Sequence, residues 1–93
     1  MFKIKYARLV LTKDFPKLKS ANLLEQFLRE VELLRNDPFS GKQLTGPLKG
    51  KRSVRINLQH RIFYTVEKTD IVIDAVKYDG IVTILQAFGH DFD

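Results

Sequence analysis

Apolar and cationic residues alternate along FKIKY (Phe2 to Tyr6), the period of a strand with one buried face. From Ala7 the period lengthens. Ala7, Leu11, Phe15 and Leu18 recur at helical spacing, and Pro16 inside that run predicts a first helix kinked or broken there. The second helix is clearer: Leu23, Leu24, Phe27, Leu28, Val31 and Leu34 make one apolar face, with Gln26, Arg29, Glu30 and Arg35 mostly opposite. Asn22 with Glu25 three residues on resembles a capping box, and Ser20 is an equally good cap. The short polar link between the helices predicts an antiparallel helical hairpin.

NDPFSGK (Asn36 to Lys42) stops the second helix with Asn, Pro and Gly, and LTGPLKG is irregular. Alternation then returns, with Val54 and Ile56 inward and Ser53, Arg55 and Asn57 outward. After a turn at Asn57 to Gln59, Ile62, Tyr64 and Val66 form one face and Arg61, Phe63 and Thr65 the other. A turn near Lys68-Thr69 would precede IVIDAV, Asp79-Gly80 is a good hairpin turn, and IVTILQAFGHDFD closes the chain. The order reads β-α-α-β-β-β(-β), the third and fourth strand pieces joining if the strand is long and bent. The predicted class is α+β: a curved antiparallel sheet with an N-terminal helical hairpin packed on one face, in a single domain over residues 1–93.

Composition narrows the function classes. The chain has no cysteine, which excludes disulfides, thiolate zinc sites and cysteine catalysis, and its two histidines, His60 and His90, argue against a dedicated metal site. No apolar run reaches the length of a membrane span and no signal-peptide pattern opens the chain, so a soluble cytoplasmic protein without a cofactor is expected. The net charge is +5 and its distribution is uneven. Between Asp37 and Glu67 there is no acidic residue, while Lys42, Lys49, Lys51, Arg52, Arg55 and Arg61 all fall there. A cationic middle on a chain of modest net charge points to a localised anion-binding face.

The alternation gives that face a geometry. With Val54, Ile56, Ile62, Tyr64 and Val66 toward the helices, Arg55 and Arg61 sit together on adjacent strands on the uncovered side, offering planar forks to phosphate oxygens. Lys49, Lys51 and Arg52 extend the patch at the entrance to this hairpin. Phe63 either stacks on an unpaired base or is buried by the curving sheet. His90, at the end of the last strand, is a candidate proton carrier near neutral pH, whereas His60 beside a turn reads as structural. Metal-free RNA cleavage needs a base for the ribose 2′-hydroxyl, cations for the charge on the phosphorane-like transition state, and an acid for the leaving oxygen. Arg55 and Arg61 suit the second task and His90 the third. No carboxylate in the basic stretch suits the first.

The motifs, taken in order, resemble a known family. S-V-R-I-N-x-x-H-R-I-F-Y (Ser53 to Tyr64) looks like the S-R-R-I-x-x-x-H-R-L-V-Y signature of the Txe/YoeB toxins, within the RelE/ParE toxin superfamily. NDPF after the second helix is similar to their N-D-P-F or N-P-F, and Leu44, Leu48 and Gly50 match the spacing of L-x-x-x-L-x-G before their signature. YDGIVTILQAFGHDFD looks like the Y-x-G-x-V-x-V-L-x-M-W-x-H-Y-E ending of some members, so the resemblance covers nearly the whole chain.

The resemblance implies a RelE/ParE-like domain. It implies the toxin of a bacterial type II toxin–antitoxin system, cleaving mRNA in the ribosomal A site by 2′-hydroxyl attack, and a cognate antitoxin that blocks the site. A homodimer is left open. By position, Arg61 would be the transition-state arginine, His90 the general acid and Arg55 the second arginine of the signature. Lys42, Lys49, Lys51, Arg52, Phe63 and Phe92 would contact RNA. Three departures stand out: Val54 replaces an arginine, Lys42 falls where the catalytic glutamate is expected, and the terminal His-Tyr becomes His90-Asp91, with Phe92 one step on. The RelE branch works with basic residues in place of the glutamate, a role that Lys49, Lys51 and Arg55 suit. The alternative is a non-nucleolytic protein of the same fold, either a ParE-like gyrase inhibitor or a lapsed toxin.

Overall fold

The computed structural model describes residues 1–87. Ten elements follow in order: β1 (Lys3–Tyr6), a π-helical turn (Val10–Asp14), α1 (Phe15–Ser20), α2 (Leu24–Asn36), a 3-10 turn (Pro38–Ser40), β2 (Lys42–Gln43), a second 3-10 turn (Gly46–Leu48), β3 (Arg52–Arg55), β4 (Arg61–Ile73) and β5 (Val76–Gln86). The five strands form one sheet in the order β1-β5-β4-β3-β2.

The sheet is antiparallel apart from β1, which runs parallel to β5 with Lys3 opposite Ile81 and Tyr6 opposite Ile84. The alternation of FKIKY fixes which residues face the core but carries nothing about strand direction, so the wholly antiparallel expectation is corrected at this edge. The two-residue β2 is a further strand that LTGPLKG and its flanks did not announce.

The expected irregularity in the first helix exists, one turn earlier than proline alone suggested. The chain is helical from Arg8, passes through the π turn, and resumes as α1 with Pro16 in its first turn, where a missing N–H is tolerated. The Phe15 N–H reaches back to the Val10 carbonyl. Val10, Asp14 and Leu18 therefore face inward, and Leu11 is left 48% exposed. Asn22, expected as a cap of α2, instead takes a left-handed conformation at φ 58° and closes α1; the cap of α2 is Leu23, without a side-chain bond.

The core lies between the helices and one face of the sheet. Phe27, Val31 and Leu34 of α2 and Leu18 of α1 meet Ile4, Ile62, Tyr64, Val82 and Ile84. Tyr6, Phe15 and Phe27 pack edge to face or tilted, with ring centroids 5.3–6.3 Å apart. The Tyr64 hydroxyl spans the core's far end. It donates to the Pro38 carbonyl at 2.8 Å and accepts from the Gly41 N–H at 3.1 Å, tying the segment after α2 to β4. Gly41 is required there, because a Cβ would collide with the Tyr64 phenol.

Two turn assignments change. No turn forms at Lys68-Thr69: β4 runs through as one strand with a bulge between Lys68 and Ile71, as the long bent strand requires. The hairpin turns at Asp74-Ala75, both left-handed with φ 51° and 65°, as a two-residue type I′ loop needs. Asp79-Gly80 lies inside β5 instead. The Asp79 N–H donates to the Met1 carbonyl at 2.9 Å, and the terminal ammonium binds the Asp79 carboxylate. Gly80 is needed for close approach, since a Cβ would meet the Glu67 carbonyl and lie 2.8 Å from the Phe2 ring.

Candidate functional site

The face of the sheet away from the core collects the basic residues. Cross-strand partners share a face, so the register can be read directly. Arg55 on β3 lies opposite Arg61 on β4. Ser53 lies opposite Phe63, Lys42 on β2 opposite Ser53, and Phe63 opposite Gln86 on β5. A row Lys42–Ser53–Phe63–Gln86 thus crosses four strands, and the two arginines sit beside it. Arg55 is exposed and Arg61 half-buried. Among the described residues neither has a carboxylate partner, and the three ion pairs lie elsewhere.

The loop between β3 and β4 is held tightly. The Asn57 carboxamide oxygen accepts from the Gln59 and His60 N–H groups, both at 2.8 Å, and the Ile56 N–H donates to the His60 carbonyl at 2.9 Å. From α2, Gln26 donates to the Ile56 carbonyl at 2.8 Å. These bonds use asparagine's tendency to fold back on the following backbone. They fix the ends of the two strands that carry Arg55 and Arg61, and give His60 the structural place expected of it.

The remaining expected site residues separate. Lys42 is exposed on the open face. Lys49 is exposed and Lys51 half-buried in the turn before β3. Arg52 is not available to RNA in the way expected. Its register partner is Tyr64, which puts it on the helix side, where its guanidinium donates to the Phe39 and Gly41 carbonyls at 3.2 and 2.9 Å and lies 5.1 Å from the Phe39 ring centre. Phe63 has the expected orientation but is only 5% exposed. It is buried outside the main core cluster and presents no open ring for a base to stack on. His90 and Phe92 lie outside the described residues.

Four residues of interest were not anticipated. Ser53 is buried on the face away from the helices, and its hydroxyl has no hydrogen-bond partner among the described residues. Lys3 and Lys5 share that face through their register with Ile81 and Thr83, which no local pattern could reveal without the pairing of β1 to β5. Asp14 is buried, its carboxylate accepting from the Ala87 N–H at 2.9 Å. Among the described residues no group of three His, Cys, Asp or Glu side chains is placed to hold a metal, and no helix is long and apolar enough to cross a membrane.

A two-helix layer on one face of a five-stranded mixed sheet, with Lys42, Arg55 and Arg61 on the other, is the architecture of RelE/ParE-fold toxins. The fold is shared almost end to end with the YoeB/ParE toxin from Agrobacterium tumefaciens: TM-score 0.77 at 20% identity, covering 97% of this chain and 100% of that one. It is shared with the Staphylococcus aureus YoeB–YefM complex at TM-score 0.67 and 18% identity, covering 98% and 99%. It is shared also with an E. coli YafQ variant at TM-score 0.61 and 14% identity, covering 96% and 93%. No curated protein matches the chain by sequence. Residues 5–80 match the family model described as the ParE toxin of type II toxin–antitoxin system, parDE. The chain belongs to this toxin family, and the superfamily resemblance read from its motifs is borne out.

Proposed function

We propose that this toxin is a ribosome-dependent mRNA endonuclease that needs no metal. The observation carrying the reading is the direct opposition of Arg55 and Arg61 on the open face, without carboxylate partners among the described residues, on strand ends fixed by the Asn57 turn. Two like charges set opposite each other are unfavourable in the free protein. They become favourable when a phosphate lies between them. In the reaction the 2′-oxygen attacks the adjacent phosphorus, the 5′-oxygen leaves, and a cyclic phosphate remains. Arg61 stabilises the charge that builds on the phosphoryl oxygens, Arg55 holds the phosphate, and His90 protonates the leaving oxygen. Lys42 stands on the same face where the family's glutamate is expected, so proton acceptance falls to a basic residue, Lys42, Lys49 or Lys51. Ribosome-bound mRNA is the substrate, the cytoplasm the site of action, and an antitoxin supplying acidic side chains to Arg55 and Arg61 the inhibitor. The heterotetrameric YoeB–YefM toxin–antitoxin complex of S. aureus is a precedent for a toxin of this fold bound to an antitoxin.

A second reading has its own support: the family model is that of ParE, and among the described residues no carboxylate pairs with either arginine. In that reading the basic face binds gyrase and cuts nothing. Inducing the protein and following the first hour separates the two. Truncated mRNA and rapid loss of translation are expected. Intact mRNA with filamentation and a DNA-damage response would instead establish the gyrase reading.

A further inference from the structure

Lys5 stands on the open face at the opposite edge of the sheet from Lys42. Its register partner on β5 is Thr83, and Thr83 lies opposite Thr65 on β4, so a row Lys5–Thr83–Thr65 crosses three strands. Thr65 shares its face of β4 with Arg61, four residues earlier. Two strand spacings and four residues of rise separate Lys5 from Arg61, about 16 Å across the sheet. That exceeds the Debye length of about 10 Å at 0.1 M salt, so Lys5 adds little to an anion held between the arginines. Lys5 is exposed and has no carboxylate partner among the described residues. Lys3, on the same face, is engaged. Its ammonium lies 5.7 Å from the Tyr78 ring centre, and its row runs through Ile81 to the exposed Glu67. Glu67 repels an anion from that end of the face, and Lys5 stands before this limit. Thr65 and Thr83, both half-buried, bring hydroxyl donors to the same row.

We propose that Lys5, with the Thr65 and Thr83 hydroxyls, forms a second phosphate subsite that holds the backbone of the same RNA strand several nucleotides from the phosphate between Arg55 and Arg61. The inference rests on the nuclease reading and adds a footprint to it. A strand meeting both sites crosses the sheet from β3 to β1, and Glu67 keeps it from running along β4 toward the hairpin tip. The subsite captures substrate and touches no reacting atom, so it governs binding and leaves the chemical step alone. Lysine on an edge strand such as β1 also deters pairing between sheet edges. A charge of either sign serves that purpose, whereas a phosphate subsite demands a cation.

The test is binding of 2′-O-methyl oligoribonucleotides, which cannot be cleaved, to the full chain. On a strand of about ten nucleotides, within the range that single-strand sites cover, Lys5→Ala should bind about 5-fold more weakly at about 0.1 M salt and flatten the salt dependence by about 0.7, the share of one phosphate contact. Lys5→Arg should restore both. Lys5→Glu, which keeps a charge at the edge, should bind more weakly still. On a dinucleotide, whose single phosphate fits between the arginines, Lys5→Ala should match wild type while Arg55→Ala does not. On programmed ribosomes Lys5→Ala should raise KM and keep kcat. Lys19→Ala, exposed on α1 on the helix side, controls for net charge. The proposal is overturned if the longer strand binds Lys5→Ala as well as wild type. It is overturned equally if the loss is as large on the dinucleotide or in Lys19→Ala, since either marks a general field in place of a subsite. Cleavage judges the nuclease reading separately. A wild type that neither binds RNA nor cuts mRNA removes both, one that cuts without any dependence on Lys5 removes this proposal alone, and one that binds through Lys5 but cuts nothing removes the nuclease reading alone.

Discussion

Arg61 and Ile62 are consecutive residues of β4 that face opposite sides of the sheet. Ile62 is fully buried under the helices, with Tyr64, Val82 and Ile84 beside it, and its identity is set by volume. Arg61 faces Arg55 across the strand gap, with Lys42 one row away. An ordinary solvated sheet face interleaves signs, because opposite charges across strands are favourable. Here Arg55 and Arg61 stand opposite each other with no carboxylate partner among the described residues, an arrangement that costs stability unless an anion lies between them. The helix-covered face is organised for the folded state of this chain alone. The open face, on the function proposed above, is organised for a complex. Substitutions should separate along the same line, moving stability on one side and activity on the other.

The largest effect is expected from Phe27→Ala. The ring is fully buried and packs on Phe15 at 5.6 Å and Tyr6 at 6.3 Å between centroids. Removing it should cost about 3–5 kcal/mol, read as a lower urea midpoint, a large part of what a domain of this size has. Next is Arg61→Ala. On the nuclease reading, loss of the group assigned to transition-state charge should lower cleavage by about 10²–10³-fold, with the urea midpoint almost unchanged. An Arg61→Ala protein that cleaves normally would remove the open face from the chemistry, and one that unfolds would erase the division between the faces.

Tyr64→Phe comes third and tests where the covered face ends. It strands the Pro38 carbonyl and the Gly41 N–H, both otherwise paired with the phenol, and should cost about 1–3 kcal/mol. Burial, first, raises the Tyr64 hydroxyl above its ordinary value of 10.0, against the lowering effects of the Gly41 hydrogen bond and the Arg52 charge. The folded state thus holds the proton more tightly than the unfolded chain. Stability is fully present below about pH 10 and is lost as pH rises from there toward the folded value. Tyr6, raised likewise by burial, contributes in the same direction. Tyr64→Phe should flatten the alkaline fall in denaturation midpoint without abolishing it.

The division between faces was legible because a period of two assigns every strand residue to a side. Arg55, Arg61, Ile62 and Tyr64 follow from it directly. Arg52 was legible by the same rule, since Ser53 and Arg55 outward puts Arg52 inward. Counting it with the basic patch followed charge where parity was the better guide. Phe63 shows the rule's limit: alternation gives direction, and burial depends on what else covers that side. The hairpin turn was hidden for another reason. Asp79-Gly80 is a favourable turn pair locally, but contacts from Met1 and Phe2, far away in sequence, keep it in a strand. Asp14 was invisible for the same kind of reason, because its partner lies near the other end of the chain.

The smallest expected effect on stability is the sharpest test of the comparison. Arg55 and Arg61 are directly opposed and have no carboxylate partners among the described residues. Arg55→Ala should therefore leave the free protein as stable as wild type or more so by a few tenths of a kcal/mol, discounted because Arg55 is exposed. The same change should weaken cleavage. Inorganic sulfate or phosphate should raise the wild-type melting temperature beyond the effect of chloride at equal ionic strength, because an anion bound between the arginines stabilises only the folded state. Arg55→Ala should lose that increment. A core position behaves in the opposite way, its truncation costing stability whatever anion is present. If Arg55→Ala destabilises the free protein and keeps its response to sulfate, the two arginines do not form one anion site, and the open face is an ordinary solvated surface.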